Sequence, residues 1–200
     1  MNKLALALSL TIGAAALTGC SGPSAQRIDP TGTQTITTVS GLDIQDAMDA
    51  AAEMSQSLLQ AGVLGQNGKP SKIAISSYVN NTSQHIDRDR IIKKVRVTLN
   101  KAGVAQTFTT MNSKGGTTGT EDAIATRQQQ VNAFLSDNPA PPKPDYTMTL
   151  KLLENKVRAG RTRQTTYIFQ MSLTEVNSGL AVWEDEKMIT KQGGKAAVGW

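Results

Sequence analysis

The chain predicts an α/β (α+β) domain, a small mixed β-sheet flanked by helices and closed by a C-terminal antiparallel meander. Three observations carry this. Residues 44–58 and 91–102 place apolar side chains at helical spacing. Residues 146–152 and 167–173 alternate apolar with polar positions, as half-buried strands do. Along the chain, strand and helix alternate first and strands follow alone, which argues for a mixed sheet with helices packed on it.

The first element is not part of that domain. Met1, Asn2 and Lys3 form a short basic start, and an apolar run rich in Leu and Ala follows to Ala16. That run is too short to span a membrane comfortably and reads as a cleaved secretory signal. It ends in Leu17-Thr18-Gly19-Cys20, which resembles the bacterial lipobox. Residues 1–19 are therefore read as a lipoprotein signal peptide, with lipid on Cys20 as the membrane anchor. Each buried methylene adds roughly 0.8 kcal/mol, so two or more acyl chains hold firmly without a transmembrane helix. Ser21, where an Asp would favour inner-membrane retention, points to the outer membrane, facing the periplasm. Cys20 is the only cysteine, so no thiol remains for a disulfide, a metal or nucleophilic chemistry.

Residues 20–40 are rich in Ser, Thr and Gly and read as a disordered, lipidated tether, reaching at most ~70 Å when extended. The globular domain is expected over 41–200. Ser40 and Asp43 have capping-box spacing, and a helix follows with Ile44, Ala47, Met48, Ala51 and Leu58 on one face. Gly62, Gly65 and the Gly68-Lys69-Pro70 turn end it. Residues 72–79 read as a strand. A second helix over 87–102 turns Ile91, Ile92, Val95, Leu99 and Ala102 inward and Arg90, Lys93, Lys94 and Lys101 outward. Gly103 stops it, and 104–109 gives a short strand. Residues 112–120 read as a loop, 121–135 as a helix and 138–144 as a stiff proline-rich connector. In the last third, Arg158 to Arg161 and Asn177 to Gly179 are turns, and the third strand is expected over 180–183. Glu184, Asp185 and Glu186 read as a solvated strand end or bulge.

Little in this sequence builds an enzyme. The single histidine, His85, has no orienting partner in the sequence and cannot make a histidine-based metal cluster; a structural or capping role suits it. Gly115-Gly116-Thr117-Thr118-Gly119 lacks the flanking strand and Gly-Lys-Ser/Thr of a phosphate loop. No catalytic residue, metal site or cofactor is expected. The net charge of +5 does not imply nucleic acid in an exported protein; it suits anionic headgroups, the carboxylates of peptidoglycan, or an acidic partner. The charge concentrates in Lys151, Lys156, Arg158, Arg161 and Arg163, relieved by Glu154. On a hairpin tip, Lys156, Arg158, Arg161 and Arg163 would form a basic finger able to dock an acidic protein surface. The plainer reading is that such residues simply keep an exposed strand edge from pairing.

Several segments together resemble one family. LDIQDAMDAAAEMSQSLL from Leu42, IAISSYVNNTSQHID from Ile73 and FQMSLTEVNSGLAVWEDEKMITKQG from Phe169 are similar to LpoB proteins. The resemblance implies a non-enzymatic lipoprotein of the outer membrane, with a small α/β domain on a tether. It further implies docking on the regulatory domain of a bifunctional penicillin-binding protein and stimulation of peptidoglycan synthesis. Its partners would be that synthase, the membrane through Cys20, and peptidoglycan as a further contact. The tether over 21–40 is short beside the long proline-rich tethers of the best-known members. The other reading of the chain is a structural or assembly lipoprotein serving secretion or envelope integrity.

Overall fold

The computed structural model describes residues 41–109, 131, 132, 134 and 143–194. Two helices and five strands follow one another as α1 (Ile44–Gln60), β1 (Ser71–Asn81), α2 (Arg88–Lys101), β2 (Ala105–Thr107), β3 (Tyr146–Ala159), β4 (Thr162–Glu175) and β5 (Ala181–Gly194). The strands form one mixed sheet in the order β2-β1-β3-β4-β5. β1 runs parallel to β2 and β3, whereas β3, β4 and β5 form an antiparallel meander. The expected fold class is the observed one. The loop expected over 112–120 lies outside the described residues, as do most of the expected helix 121–135 and the connector 138–144.

Local chemistry sets the helix limits. α1 begins three residues later than Ser40 suggested: Asp43 is the N-cap, and the Asp46 carboxylate accepts from the Asp43 N–H at 3.2 Å. A carboxylate in the first turn meets free N–H groups and the positive end of the helix dipole. Gly62, at φ 68°, follows the C-cap Ala61 in the left-handed region where a Cβ is strained. The Asp87 side chain caps α2 by accepting from Asp89 and Arg90 N–H.

Both helices pack on one face of the sheet. Alternation puts Met148, Leu150 and Leu152 of β3 and Tyr167, Phe169, Met171 and Leu173 of β4 into that face, all buried. They meet Ala47, Ala50, Ala51, Met54 and Leu58 of α1 and Ile91, Val95 and Leu99 of α2. Three small alanines let α1 approach closely, which explains why the core is filled with few aromatic rings. Two expected inward residues differ: Ile44 is 43% exposed and Ala102 is exposed, each standing at a helix end beyond the sheet. Buried in their place are Ser55, whose hydroxyl donates to the Ala51 carbonyl, and Arg96, which donates to Thr107 Oγ1 at 3.2 Å.

The largest correction concerns β5. It does not stop at Trp183 but runs to Gly194, so Glu184, Asp185 and Glu186 lie within the strand. Pairing overrides their low strand preference: Glu184 accepts from Ser172 Oγ at 2.8 Å and Glu186 from Gln170 Nε2 at 2.7 Å, both across β4. The alternation in β4 dictates which side of β5 faces the helices.

A core of this kind makes a clear distinction between the two faces. Leu152→Ala, at a position 2% exposed, should cost about 2–5 kcal/mol in urea unfolding. Val157→Ala, 55% exposed on the other face, should stay within about 0.5 kcal/mol of the parent.

Candidate docking site

The β3–β4 hairpin turns through Gly160 and Arg161, between the facing pair Ala159 and Thr162. Gly160 sits at φ 57°, a conformation that a two-residue hairpin turn requires and a side chain resists. Cross-strand pairing then places the basic residues. Arg158 stands directly opposite Arg163, Lys156 opposite Thr165, and Lys151 opposite Gln170. Lys156, Arg158 and Arg163 thus share the face on which the helices pack, and Arg161 occupies the turn. Lys151 lies on the other face in mid-strand and does not join them.

Below the tip, a polar cluster fixes the hairpin to the rest of the domain. The loop between β1 and α2 folds against β3: the Glu154 carboxylate accepts from the Ser83 N–H at 2.7 Å, and Lys156 Nζ donates to Ser83 Oγ at 2.6 Å. Lys156 also lies 3.0 Å from Glu154. Gln84 Oε1 accepts from the Leu42 N–H at 2.7 Å and from the Tyr167 hydroxyl at 3.2 Å. Asn80 and Thr82 hold the loop by bonds to one another and to the Gln84 carbonyl. On the far side, Lys191 of β5 reaches Asp43 at 2.6 Å and Asp46 at 2.5 Å, with its side chain only 9% exposed. Lys187 pairs with Glu53, about two turns beyond Asp46 along α1.

The environment shifts the charges accordingly. Burial pushes the Glu154 carboxyl up, but the bonds from Ser83 and Lys156 outweigh it and hold it below its ordinary value. Burial pushes the Lys191 ammonium down, and its bonds to Asp43 and Asp46 more than reverse this, leaving it raised. The Tyr167 hydroxyl is raised by burial first and then by the Glu154 charge. Burial pushes Tyr78 up to about 12.

Of the residues expected to dock a partner, Lys156 is thus paired with Glu154 and Ser83, although its side chain stays 55% exposed. Arg158 donates to the Gly160 carbonyl at 3.2 Å. Arg161 and Arg163 are exposed, and their side chains make no hydrogen bond or ion pair with the described residues. Cys20 lies outside the described residues. His85 is exposed and lines a shallow groove of about 210 Å³ with Asp43, Asp87 and Arg90, without a catalytic partner arranged around it. Sequence reasoning missed the Glu154 and Lys191 contacts. The only available signal was a charged residue at an inward strand position, where alternation calls for an apolar one. No group of three or more His, Cys, Asp or Glu among the described residues could hold a metal, and no described helix is long and apolar enough to cross a membrane.

A five-stranded mixed sheet with both described helices on one face and an exposed cationic hairpin tip defines a small α+β domain. The chain belongs to the LpoB family: the family model described as peptidoglycan-synthase activator LpoB matches residues 46–189. That is a family of regulatory activators. No curated protein sequence matches the chain. Among solved structures it is similar to the LpoB C-terminal domain from Escherichia coli, at 17% identity and TM-score 0.45, covering 72% of this chain and 98% of that one. The LpoB C-terminal domain from Salmonella enterica matches at 17% identity and TM-score 0.44, with the same coverage of 72% and 98%. The E. coli LpoB structure determined by NMR matches at 16% identity and TM-score 0.42, covering 86% of this chain and 82% of that one.

The shifted groups set a pH dependence. Glu154, held below its ordinary 4.5, stabilises the fold above that value, and the contribution is lost as pH falls through its folded pKa. Lys191, raised above 10.5, stabilises fully below 10.5 and loses this as pH rises through its folded pKa. Urea midpoints should therefore fall below pH 4.5 in the parent and less steeply in Glu154→Gln. Lys191→Met should flatten the alkaline limb.

Proposed function

We propose that the protein is a lipid-anchored periplasmic regulator that binds a bifunctional penicillin-binding protein and stimulates its peptidoglycan synthesis. The observation that carries this reading is membership of a synthase-activator family over residues 46–189. The anchor in this reading is Cys20, lipidated after removal of residues 1–19, and the membrane is the outer one. Residues 20–40 are the tether. Peptidoglycan, through which such a protein must reach, is a further contact.

The docking surface we assign is the hairpin tip, with Arg158, Arg161 and Arg163 as its cations and Lys156 as their support. Electrostatics favours this assignment. Arg158 and Arg163 face each other directly across the strands, and like charges so placed destabilise a hairpin. A protein gains from such a pair when an acidic surface completes it, because arginine gives a carboxylate two parallel charge-assisted bonds. The tip can be presented in this way because Glu154, Ser83 and Lys156 hold its base rigid.

The test is glycan polymerisation from lipid II by the organism's own bifunctional synthase, with and without the full chain in detergent. A several-fold, saturable acceleration is expected, and its absence together with absent binding would overturn the reading. Arg158→Glu with Arg161→Glu should reduce synthase binding and weaken its dependence on salt. Unchanged affinity and salt dependence in that variant would move the docking surface away from the hairpin.

A further inference from the structure

The sheet has one long edge that the described residues leave open. β5, fourteen residues long, is bonded to β4 alone, and no backbone hydrogen bond within the described residues reaches it from its outer side. The opposite edge strand, β2, has three residues. A long, unblocked edge is a template for another strand. On the sheet face away from the helices, Leu153, Ile168 and Met188 stand directly opposite one another across β3, β4 and β5. This apolar row runs out at the edge on Met188, which is 58% exposed.

We propose that β5 pairs antiparallel with β5 of a second copy of this chain, about a two-fold axis through Met188. Charge narrows the register. When the axis is normal to the sheet, facing residues share a face, so the axis passes through a residue paired with itself. An axis at Asp185, Glu186 or Lys187 sets that charge against its own copy, and one at Ile189 sets Lys187 against Lys191. An axis at Met188 opposes no like charges. Asp185 then faces Lys191, Glu186 faces Thr190, Glu184 faces Gln192, and pairing extends from Val182 to Gly194. The same register joins the two apolar rows end to end. Charge and row together select this arrangement: an axis at Thr190 also opposes no like charges, but it sets Met188 against Gln192 and breaks the row. The two-fold axis sends the two hairpin tips to opposite ends of the joined sheet, where both stay open, so pairing and synthase docking do not exclude each other.

The test uses the full lipidated chain in its own membrane, with one cysteine added at a time. Facing residues in antiparallel strands have Cα atoms about 4.5–5.5 Å apart, within the range that a disulfide bridges. Met188→Cys under a mild oxidant should yield covalent dimer, about tenfold or more above Glu184→Cys, whose two copies this register places several residues apart. Covalent dimer from Met188→Cys no greater than from Glu184→Cys or from the parent would overturn the proposal. So would sedimentation of the purified parent as a monomer at every concentration in detergent.

Discussion

The arrangement depends on how the β1–α2 loop and the start of α1 are fastened to the long strands. β3, β4 and β5 run well past the helices' core contacts, and a bare hairpin of this kind is marginal in water. Glu154 and Gln84 supply the fastening on one side and Lys191 on the other. Each acts across a long stretch of chain: Glu154 and Ser83 are 71 positions apart, and Lys191 and Asp43 are 148 apart. Glu154 and Lys191 are mostly shielded and charged, and Gln84 is held by the Leu42 N–H and the Tyr167 hydroxyl, so breaking one side leaves its partner poorly solvated. A unique geometry is what such a cluster gives, more than net stability. The basic tip inherits its position from it.

Much of the fold was legible because it rests on periodicity. The inward residues of β3 and β4 follow from strict alternation, and those of α2 from the spacing of Ile91, Val95 and Leu99. The Gly103 and Gly160 turns follow from the freedom of glycine. β5 was only partly legible, because Glu184, Asp185 and Glu186 have little intrinsic strand preference. Their pairing with Ser172 and Gln170 is a property of β4, not of their own sequence. Ile44 and Ala102 fit the helical stripe but overhang the sheet, a matter of where each helix ends over its neighbour.

The candidate docking site divides in the same way. Charge clustering and a glycine turn mark the hairpin tip without any structure. That Lys156 pairs with the β1–α2 loop and Lys151 faces the other side could not be read locally. The first depends on Ser83, 73 positions away, and the second on the parity of the strand register. What remains outward is an arginine set whose cross-strand opposition is unfavourable by itself. A cost of that kind, at an exposed tip above a rigid base, is what a surface built for an acidic partner would carry.

The central claim is that loop, helix start and hairpin base behave as one cooperative unit. Native-state hydrogen exchange on the full chain tests it most directly, comparing the parent with Gln84→Ala. The account predicts that amides at the start of α1, in the loop around Thr82 to His85 and at the hairpin base near Glu154 and Tyr167 lose protection together and by similar factors. Loss confined to the loop, with the hairpin base and α1 as protected as before, would contradict it.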